Sequence, residues 1–208
     1  MSLHVIDHPV IKHKLSILRQ ESTTSNEFRR IVSEIASLMT YEMTRNLEVE
    51  TQTIKTPICE YDAPFIAGKK QVVVPILRAG LGLVEGITNV LPGVKIGHIG
   101  IYRDEETLEP QPYFAKFPQD LDKRQVYIVD PMLATGGTAN KAIEMLKEKG
   151  VTNINLVCLV GCPEGVDAVL AKHPDVEIYL ASLDEKLNEQ GYIVPGLGDA
   201  GDRLFGTK

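Results

Sequence analysis

The sequence has little cysteine, no long apolar run and no surplus of positive charge, and each absence removes a class of protein. Only Cys59, Cys158 and Cys162 occur, an odd count without paired spacing. A disulfide scaffold is therefore not expected; reduced thiols, mostly in a core and in the cytoplasm, are. No run of about 18 or more apolar residues exists, so no membrane-spanning helix is expected. The segment Met1-Ser-Leu-His-Val-Ile-Asp7 lacks a basic region followed by a hydrophobic one, so secretion is not expected. A net charge of −6 argues against a nucleic-acid surface, although a phosphorylated small molecule needs only a local positive site. The histidines, His4, His8, His13, His98 and His173, are scattered, and no His-Glu-x-x-His or Cys-x-x-Cys spacing exists. A zinc ion held by the protein is not expected. Repeats and low-complexity segments are also missing. What is there is an apolar fraction of 43% over 208 residues, which predicts one globular domain over residues 1–208.

The periodicities predict an α/β fold. Pro9 to Gln20 reads as a short helix and Thr24 to Arg45 as a longer one. Thr24 and Glu27 have capping-box spacing, and Phe28, Ile31, Val32, Ile35, Leu38 and Met39 recur at helical intervals. These helices precede the rest of the fold, so packing or subunit contact is their expected role. Leu47 to Ile58 reads as a strand or hairpin and Tyr61 to Lys70 as a loop. Then strands and helices alternate: strand Gln71 to Leu77, helix Leu81 to Leu91, strand Lys95 to Tyr102, strand Val126 to Val129 and helix Ala139 to Lys149, capped by Gly150. Strand Ile154 to Val160, helix Pro163 to Lys172 and strand Val176 to Ala181 follow. Such alternation predicts a mainly parallel sheet flanked by helices, with ligands at the carboxyl ends of its strands. Arg103 to Arg124 is long and irregular, a flexible lid or, given Tyr113 to Phe117, a β-hairpin.

The most informative stretch is Val126-Tyr-Ile-Val-Asp-Pro-Met-Leu-Ala-Thr-Gly-Gly-Thr138. An apolar run ends in an acid, and a short loop of small and hydroxylic residues leads into a helix. Unpaired N–H groups at a helix start, with the positive end of the macrodipole, bind phosphate. Gly136 and Gly137 let the backbone approach an anion, and Thr135 and Thr138 can add hydroxyl donors. Asp130 can accept hydrogen bonds from a sugar diol, so the loop suits a ribose 5-phosphate. The Gly-Lys-Ser/Thr ending of a Walker loop is absent. An ordinary turn that binds nothing would explain the glycines alone, but not the whole string.

Three further segments fall at strand ends or near the carboxyl terminus. Pro75-Ile-Leu-Arg-Ala-Gly-Leu-Gly82 places Arg78, a planar donor fork for phosphate, beside small residues. Tyr102-Arg-Asp-Glu-Glu106 opens the long loop, and Gly191-Tyr-Ile-Val-Pro-Gly-Leu-Gly-Asp-Ala-Gly-Asp202 lies near the carboxyl terminus. Each arginine alone could be a solvated charge. Gly196-Leu-Gly-Asp-Ala-Gly201 matches the dinucleotide fingerprint, but too few residues follow for the required helix and strand. Gly80-Leu-Gly-Leu-Val-Glu-Gly86, with Asp104 further on, is a rival reading as a nicotinamide or flavin enzyme. Its spacing is one residue too long, and it leaves the Asp130 loop unexplained.

The string Asp-Pro-Met-Leu-Ala-Thr-Gly-Gly-Thr resembles the phosphoribosyl pyrophosphate (PRPP) loop of phosphoribosyltransferases, in the version of the uracil phosphoribosyltransferase family. The segments from Val74 to Gly82, Tyr102 to Pro110 and Tyr192 to Asp202 resemble that family too. Pro131 stands where most of the wider class has a second acid. The resemblance implies transfer of the phosphoribosyl group of PRPP to uracil, giving UMP and pyrophosphate, with Mg²⁺ held mainly by PRPP and water. It implies that Asp130, Pro131, Met132, Leu133, Ala134, Thr135, Gly136, Gly137 and Thr138 bind the ribose 5-phosphate. It further implies that Arg78 and Arg103 bind pyrophosphate, that Ile193, Gly198 and Ala200 read uracil, and that Asp199 lies beside PRPP. Arg78, Arg103, Asp130 and Asp199 are the expected catalytic residues. A homo-oligomer, GTP as an activator and a cis Leu77–Arg78 peptide are further expectations. Some RNA-binding regulators share this fold; the acidic chain and its carboxyl-terminal segment favour the enzyme.

Overall fold

The computed structural model describes residues 2–103 and 109–207, with Arg103 described by its backbone alone. The chain opens with β1 (Leu3–Val5), α1 (Pro9–Arg19) and α2 (Ser25–Met43). A ribbon of β2 (Val49–Lys55) and β3 (Glu60–Ile66) follows, then β4 (Val72–Leu77), α3 (Leu81–Val90), β5 (Lys95–Ile96), β6 (His98–Arg103) and β7 (Pro110–Lys116). Next come β8 (Val126–Val129), β9 (Met132–Leu133), α4 (Gly137–Lys147), β10 (Ile154–Gly161), α5 (Pro163–Lys172) and β11 (Glu177–Leu183). The last elements are β12 (Lys186–Leu187), β13 (Ile193–Val194) and α6 (Ala200–Phe205).

The main sheet runs β1-β11-β10-β8-β4-β6-β7. Its pairings are parallel except that β7 returns antiparallel to β6. Alternation along each central strand feeds two cores. Val73, Tyr127, Val129, Val157, Leu159 and Tyr179 pack with α1, α2, α3 and α6. Val72, Val74, Val126, Ile128, Leu156 and Ile178 pack with α4 and α5. Strands buried on both faces are largely apolar, which is why β4 and β8 read as continuous apolar runs and β10 as one broken only by Asn155. The expected α/β class, with a mainly parallel sheet and flanking helices, is the one found.

Helix starts follow the caps in the sequence. Thr24 Oγ1 accepts from Glu27 N at 3.4 Å at the start of α2. In α1, Pro9 occupies the first turn and His8 Nδ1 accepts from Val10 N at 3.2 Å. Helices α2 and α3 approach so closely that a Cβ on Gly86 would lie 2.7 Å from Ala36 Cβ and 2.9 Å from Ser37 N. The Ser37 hydroxyl donates to the Gly86 carbonyl at 2.9 Å across the same contact.

Several expectations need correction. Tyr61 to Lys70 is not a loop throughout, because β3 pairs with β2 in register from Val49↔Ile66 to Lys55↔Glu60. Asp62 and Pro64 hid this strand, yet Thr53 donates to Asp62 at 2.7 Å, and a two-stranded ribbon tolerates Pro on its unpaired edge. The strand from Lys95 is broken between β5 and β6, although Gly97 N still bonds Val73 O at 2.9 Å. Strand β1 is too short to show a period. The helix expected from Ala139 starts at Gly137, and Gly150 lies beyond its end with φ +81°. The long stretch from Arg103 folds back as the hairpin β6–β7, the alternative named for it. Asp104 and its neighbours to residue 108 lie outside the described residues, as does the side chain of Arg103. Cys158 and Cys162 are buried and Cys59 is exposed.

The contact at Gly86 gives a stability test. Gly86→Val should destabilise by about 1–3 kcal/mol, since neither helix backbone can yield without losing packing elsewhere. Urea unfolding monitored by circular dichroism reads this as a lower midpoint with unchanged slope.

Candidate active site

The carboxyl ends of β4 and β8 lie side by side, with Pro75 paired to Val129. After β4 the chain moves to β6 on one side, and after β8 it moves to β10 on the other. At such a switch point the two connections diverge and leave a crevice above the sheet. A Cβ on Gly80 would collide with the carbonyl of Val129, so only glycine lets the β4 turn pack against the end of β8.

After β8 the chain turns back onto β10. Asp130 N donates to Val157 O at 3.2 Å, and the Pro131 carbonyl accepts from Leu159 N and Val160 N, both at 3.1 Å. Strand β9 then pairs with β10, Met132 opposite Val160 and Leu133 opposite Gly161. Pro131 and Leu133 are buried and their carbonyls accept from Leu159, Val160 and Cys162 N–H groups, so these two residues anchor the loop. Gly136 has φ +78°, and a Cβ there would lie 3.0 Å from Gly165 O. Helix α4 starts at the next residue with no acid in its first turn, so its free N–H groups face no competing carboxylate from that turn. Thr135 is exposed and Thr138 half-buried at this helix start.

The Leu77–Arg78 peptide is cis, as expected, and Val194–Pro195 is cis as well. Arg78 is exposed, with its guanidinium carbon 5.5 Å from the Phe205 ring centroid in α6. Across the crevice, β13 pairs with β12 through Leu187↔Ile193. Asp199 caps α6, its Oδ1 accepting from Asp202 N at 2.9 Å. Gly196 and Gly198 have φ +59° and +74°, which folds the chain between them tightly. A cleft of about 420 Å³ results, lined by Ala79, Asp130, Met132, Ala134, residues 190–193 and residues 198–201.

Of the residues singled out in the sequence, Asp130, Met132, Ala134, Ile193, Gly198, Asp199 and Ala200 meet in this cleft. Arg78 stands next to its wall residue Ala79. Thr135, Gly136, Gly137 and Thr138 form the neighbouring helix start rather than the cleft wall. Arg103 ends β6 on the carboxyl side of the sheet.

The sequence reading missed the arginines that hold the carboxyl-terminal segment. Arg19, the last residue of α1, donates from Nη1 and Nη2 to the two oxygens of Asp184, both at 2.6 Å. Arg19 Nη1 also donates to Gly196 O at 2.6 Å, and Asp184 Oδ2 accepts from Gly196 N at 2.9 Å. Burial pushes the Asp184 carboxyl up, but Arg19, the Ser182 hydroxyl and Gly196 N–H outweigh it and hold the group below the usual carboxylate range. Arg203 in α6 donates to Leu197 O at 2.9 Å and Gln20 O at 2.5 Å, and stacks 4.5 Å from the Phe28 ring centroid. Arg29 in α2 donates to Leu204 O at 2.8 Å. The amino-terminal helices thus brace the carboxyl-terminal wall of the cleft, beyond the packing or subunit role expected of them. A lone Arg at a helix end carries no signal that could have shown this.

The model of the uracil phosphoribosyltransferase family matches residues 5–207. The uracil phosphoribosyltransferase of Macrococcus caseolyticus is 60% identical over 206 residues, covering 99% of each chain. That of Clostridium beijerinckii is 60% identical over 203 residues, covering 98% of this chain and 97% of its own. Among solved structures, the AQ2163 protein of Aquifex aeolicus superposes with a TM-score of 0.94 at 37% identity, covering 99% of each chain. A hypoxanthine-guanine phosphoribosyltransferase of Bacillus anthracis, at 11% identity and a TM-score of 0.50, shares the fold alone. This chain belongs to the uracil phosphoribosyltransferase family.

The Arg19–Asp184 pair predicts an acid dependence. Because the folded-state pKa of Asp184 is lowered, its contribution is complete above the unfolded value of about 3.9 and is lost as pH falls through the folded value. In Asp184→Asn, the thermal midpoint should therefore depend less on pH below about 4 than in the parent. Parallel midpoints across that window would contradict the assignment.

Proposed function

We propose that this chain transfers the 5-phosphoribosyl group of PRPP to N1 of uracil, giving UMP and pyrophosphate. The observation that carries the reading is the single cleft joining the strand-end acid Asp130 to the glycine-bounded segment 198–201. In this reading the helix start at residues 135–138 takes the 5-phosphate, and Asp130 accepts hydrogen bonds from the ribose hydroxyls. Pro131, Met132, Leu133 and Ala134 carry the chain between them, with Pro131 and Leu133 holding it in place through their carbonyls. Arg78 and Arg103 hold the pyrophosphate, and Asp199 stands beside PRPP. The whole chain, residues 1–208, acts as one domain, since α1 and α6 serve the same cleft. It acts in the cytoplasm; among the described residues no helix is long and apolar enough to cross a membrane.

The chemistry follows from what the substrate presents. Uracil offers an acceptor, a donor and an acceptor along O4, N3–H and O2. Backbone N–H and C=O groups of Ile193, Gly198 and Ala200 can complement that edge without a charged side chain. Cytosine has a donor at position 4 and no hydrogen on N3, so it leaves buried groups unpaired. As pyrophosphate departs from C1′, positive charge develops on the ribose and negative charge on the leaving group. Fixed arginine donors stabilise the latter, and a closed site keeps water from hydrolysing PRPP. Among the described residues no three His, Cys, Asp or Glu side chains converge into a metal cage. Asp130 and Asp199 are oxygen donors on the cleft wall, which fits Mg²⁺ held mainly through PRPP and water. When bound, Mg²⁺ neutralises charge on the pyrophosphate.

A homo-oligomer is part of the proposal. Exposed Ile54, Tyr61 and Phe65 share one face of the β2–β3 ribbon, an apolar surface suited to a second copy of this chain. Activation by GTP rests on the resemblance alone and is read by adding GTP to the assay below.

Pyrophosphate release with PRPP and Mg²⁺ should be fast with uracil and 5-fluorouracil, and near background with cytosine, hypoxanthine or no base. Faster turnover of hypoxanthine than of uracil would sink the reading. Thr138→Ala should weaken PRPP binding by roughly 10- to 150-fold, the loss of one charge-assisted hydrogen bond. Asp130→Asn keeps the shape and should impair turnover in a folded protein. Calorimetry showing Thr138→Ala bound to PRPP like the parent would remove the phosphate role of this helix start.

A further inference from the structure

We propose that Arg19 and Asp184 are positioning residues for the base-reading segment, fixing the backbone of Gly196 and through it the placement of residues 193–200. The inference rests on the reading that this segment takes uracil, and adds to it how the segment is held. Neither residue lines the cleft, so neither is catalytic.

The geometry is that of a fully satisfied carboxylate. Asp184 Oδ1 accepts from Arg19 Nη2 at 2.6 Å and the Ser182 hydroxyl at 2.7 Å. Its Oδ2 accepts from Arg19 Nη1 at 2.6 Å and Gly196 N at 2.9 Å. Arg19 Nη1 returns to the Gly196 carbonyl at 2.6 Å, so both backbone groups of Gly196 end on this one pair. Gly196 is itself irreplaceable, for its φ is +59° and a Cβ would collide with the Ile193 carbonyl. That collision couples Gly196 to Ile193, while Gly198 and Ala200 follow two and four residues on.

Burial of Ile193, Leu197 and Ala200 in the core holds the segment's side chains, whereas few other hydrogen bonds hold its backbone. Its ladder to β12 has two residue pairs, and Arg203 adds one bond at Leu197 O. A base read through backbone groups is sensitive to such support, because hydrogen bonds weaken steeply with distance and angle. The Asp184 side chain is 3% exposed, so Asp184→Asn takes the counter-charge from Arg19 and turns an NH₂ group, which cannot accept, toward either Arg19 or the Gly196 N–H. The segment then has reason to shift. The phosphate-binding end, built from β8, β9 and α4, is anchored on β10 instead and has less reason to shift.

The test uses Asp184→Asn, which keeps the shape, and Arg19→Lys, which keeps the charge but loses the fork. Uracil KM should rise about 10- to 100-fold in Asp184→Asn and less in Arg19→Lys. PRPP affinity, measured by calorimetry without uracil, should fall far less, since Asp199 alone of this segment stands beside PRPP, and the preference for uracil over cytosine should narrow. Amide hydrogen exchange should quicken at residues 193–200 and not in β10. Equal losses for uracil and PRPP, or unchanged uracil KM in a folded variant, would overturn the inference. If Asp184→Asn does not fold, Ser182→Ala removes one donor without stranding a charge and should move uracil KM and exchange in the same direction, by less; no movement in either overturns the inference. The exchange readout needs no activity. If the parent makes no UMP yet the variant's segment loosens, the functional reading fails and the positioning stands. If the parent makes UMP and exchange is unchanged, the positioning fails alone.

Discussion

The ion pair between Arg19 and Asp184 is the constraint on which the arrangement of this molecule depends. It joins the end of the first helix to the carboxyl end of the last long strand, across 165 residues of sequence. A buried carboxylate without partners would be costly, and here both oxygens are filled by a guanidinium, a hydroxyl and a backbone N–H. Those same groups fix Gly196. With Gly196 fixed, Asp199 caps α6 beside the cleft and Arg203 reaches back to Gln20, closing the amino-terminal helices over the segment.

The rest of the site needs less support because the sheet supplies it. The Asp130 loop is anchored by the Pro131 carbonyl and by β9, both on β10. Two connections that part at the β4–β8 boundary open the crevice without any special side chain. The proposed phosphate end is therefore held by sheet pairing, and the proposed base end by side-chain pairing. One fold thus divides into a part set by backbone topology and a part set by a few arginines.

That division also explains what the sequence disclosed. Apolar runs at β4, β8 and β10 and the helical stripe of α2 are local patterns, and they were legible. So was the strand-to-helix course of the Asp130 loop, which lies within one short string. Strand β3 was not, because Asp62 and Pro64 have low strand propensity and only pairing with β2 makes the strand. Strand β1 is three residues long and exists only because β11 offers it an edge. The Arg19–Asp184 pair was invisible for the same reason, since each partner alone looks like a solvated charge and their meeting is a property of the fold.

The central claim is that the start of α4 takes a phosphate and the cleft beside it takes a base at the carboxyl-terminal segment. A crystal structure of the protein with UMP tests it most directly. The account places the 5′-phosphate on the N–H groups of residues 136–138, the ribose hydroxyls on Asp130 and the uracil edge on backbone groups of residues 193 and 198–200. A phosphate bound away from α4, or a base stacked outside this segment, would contradict it.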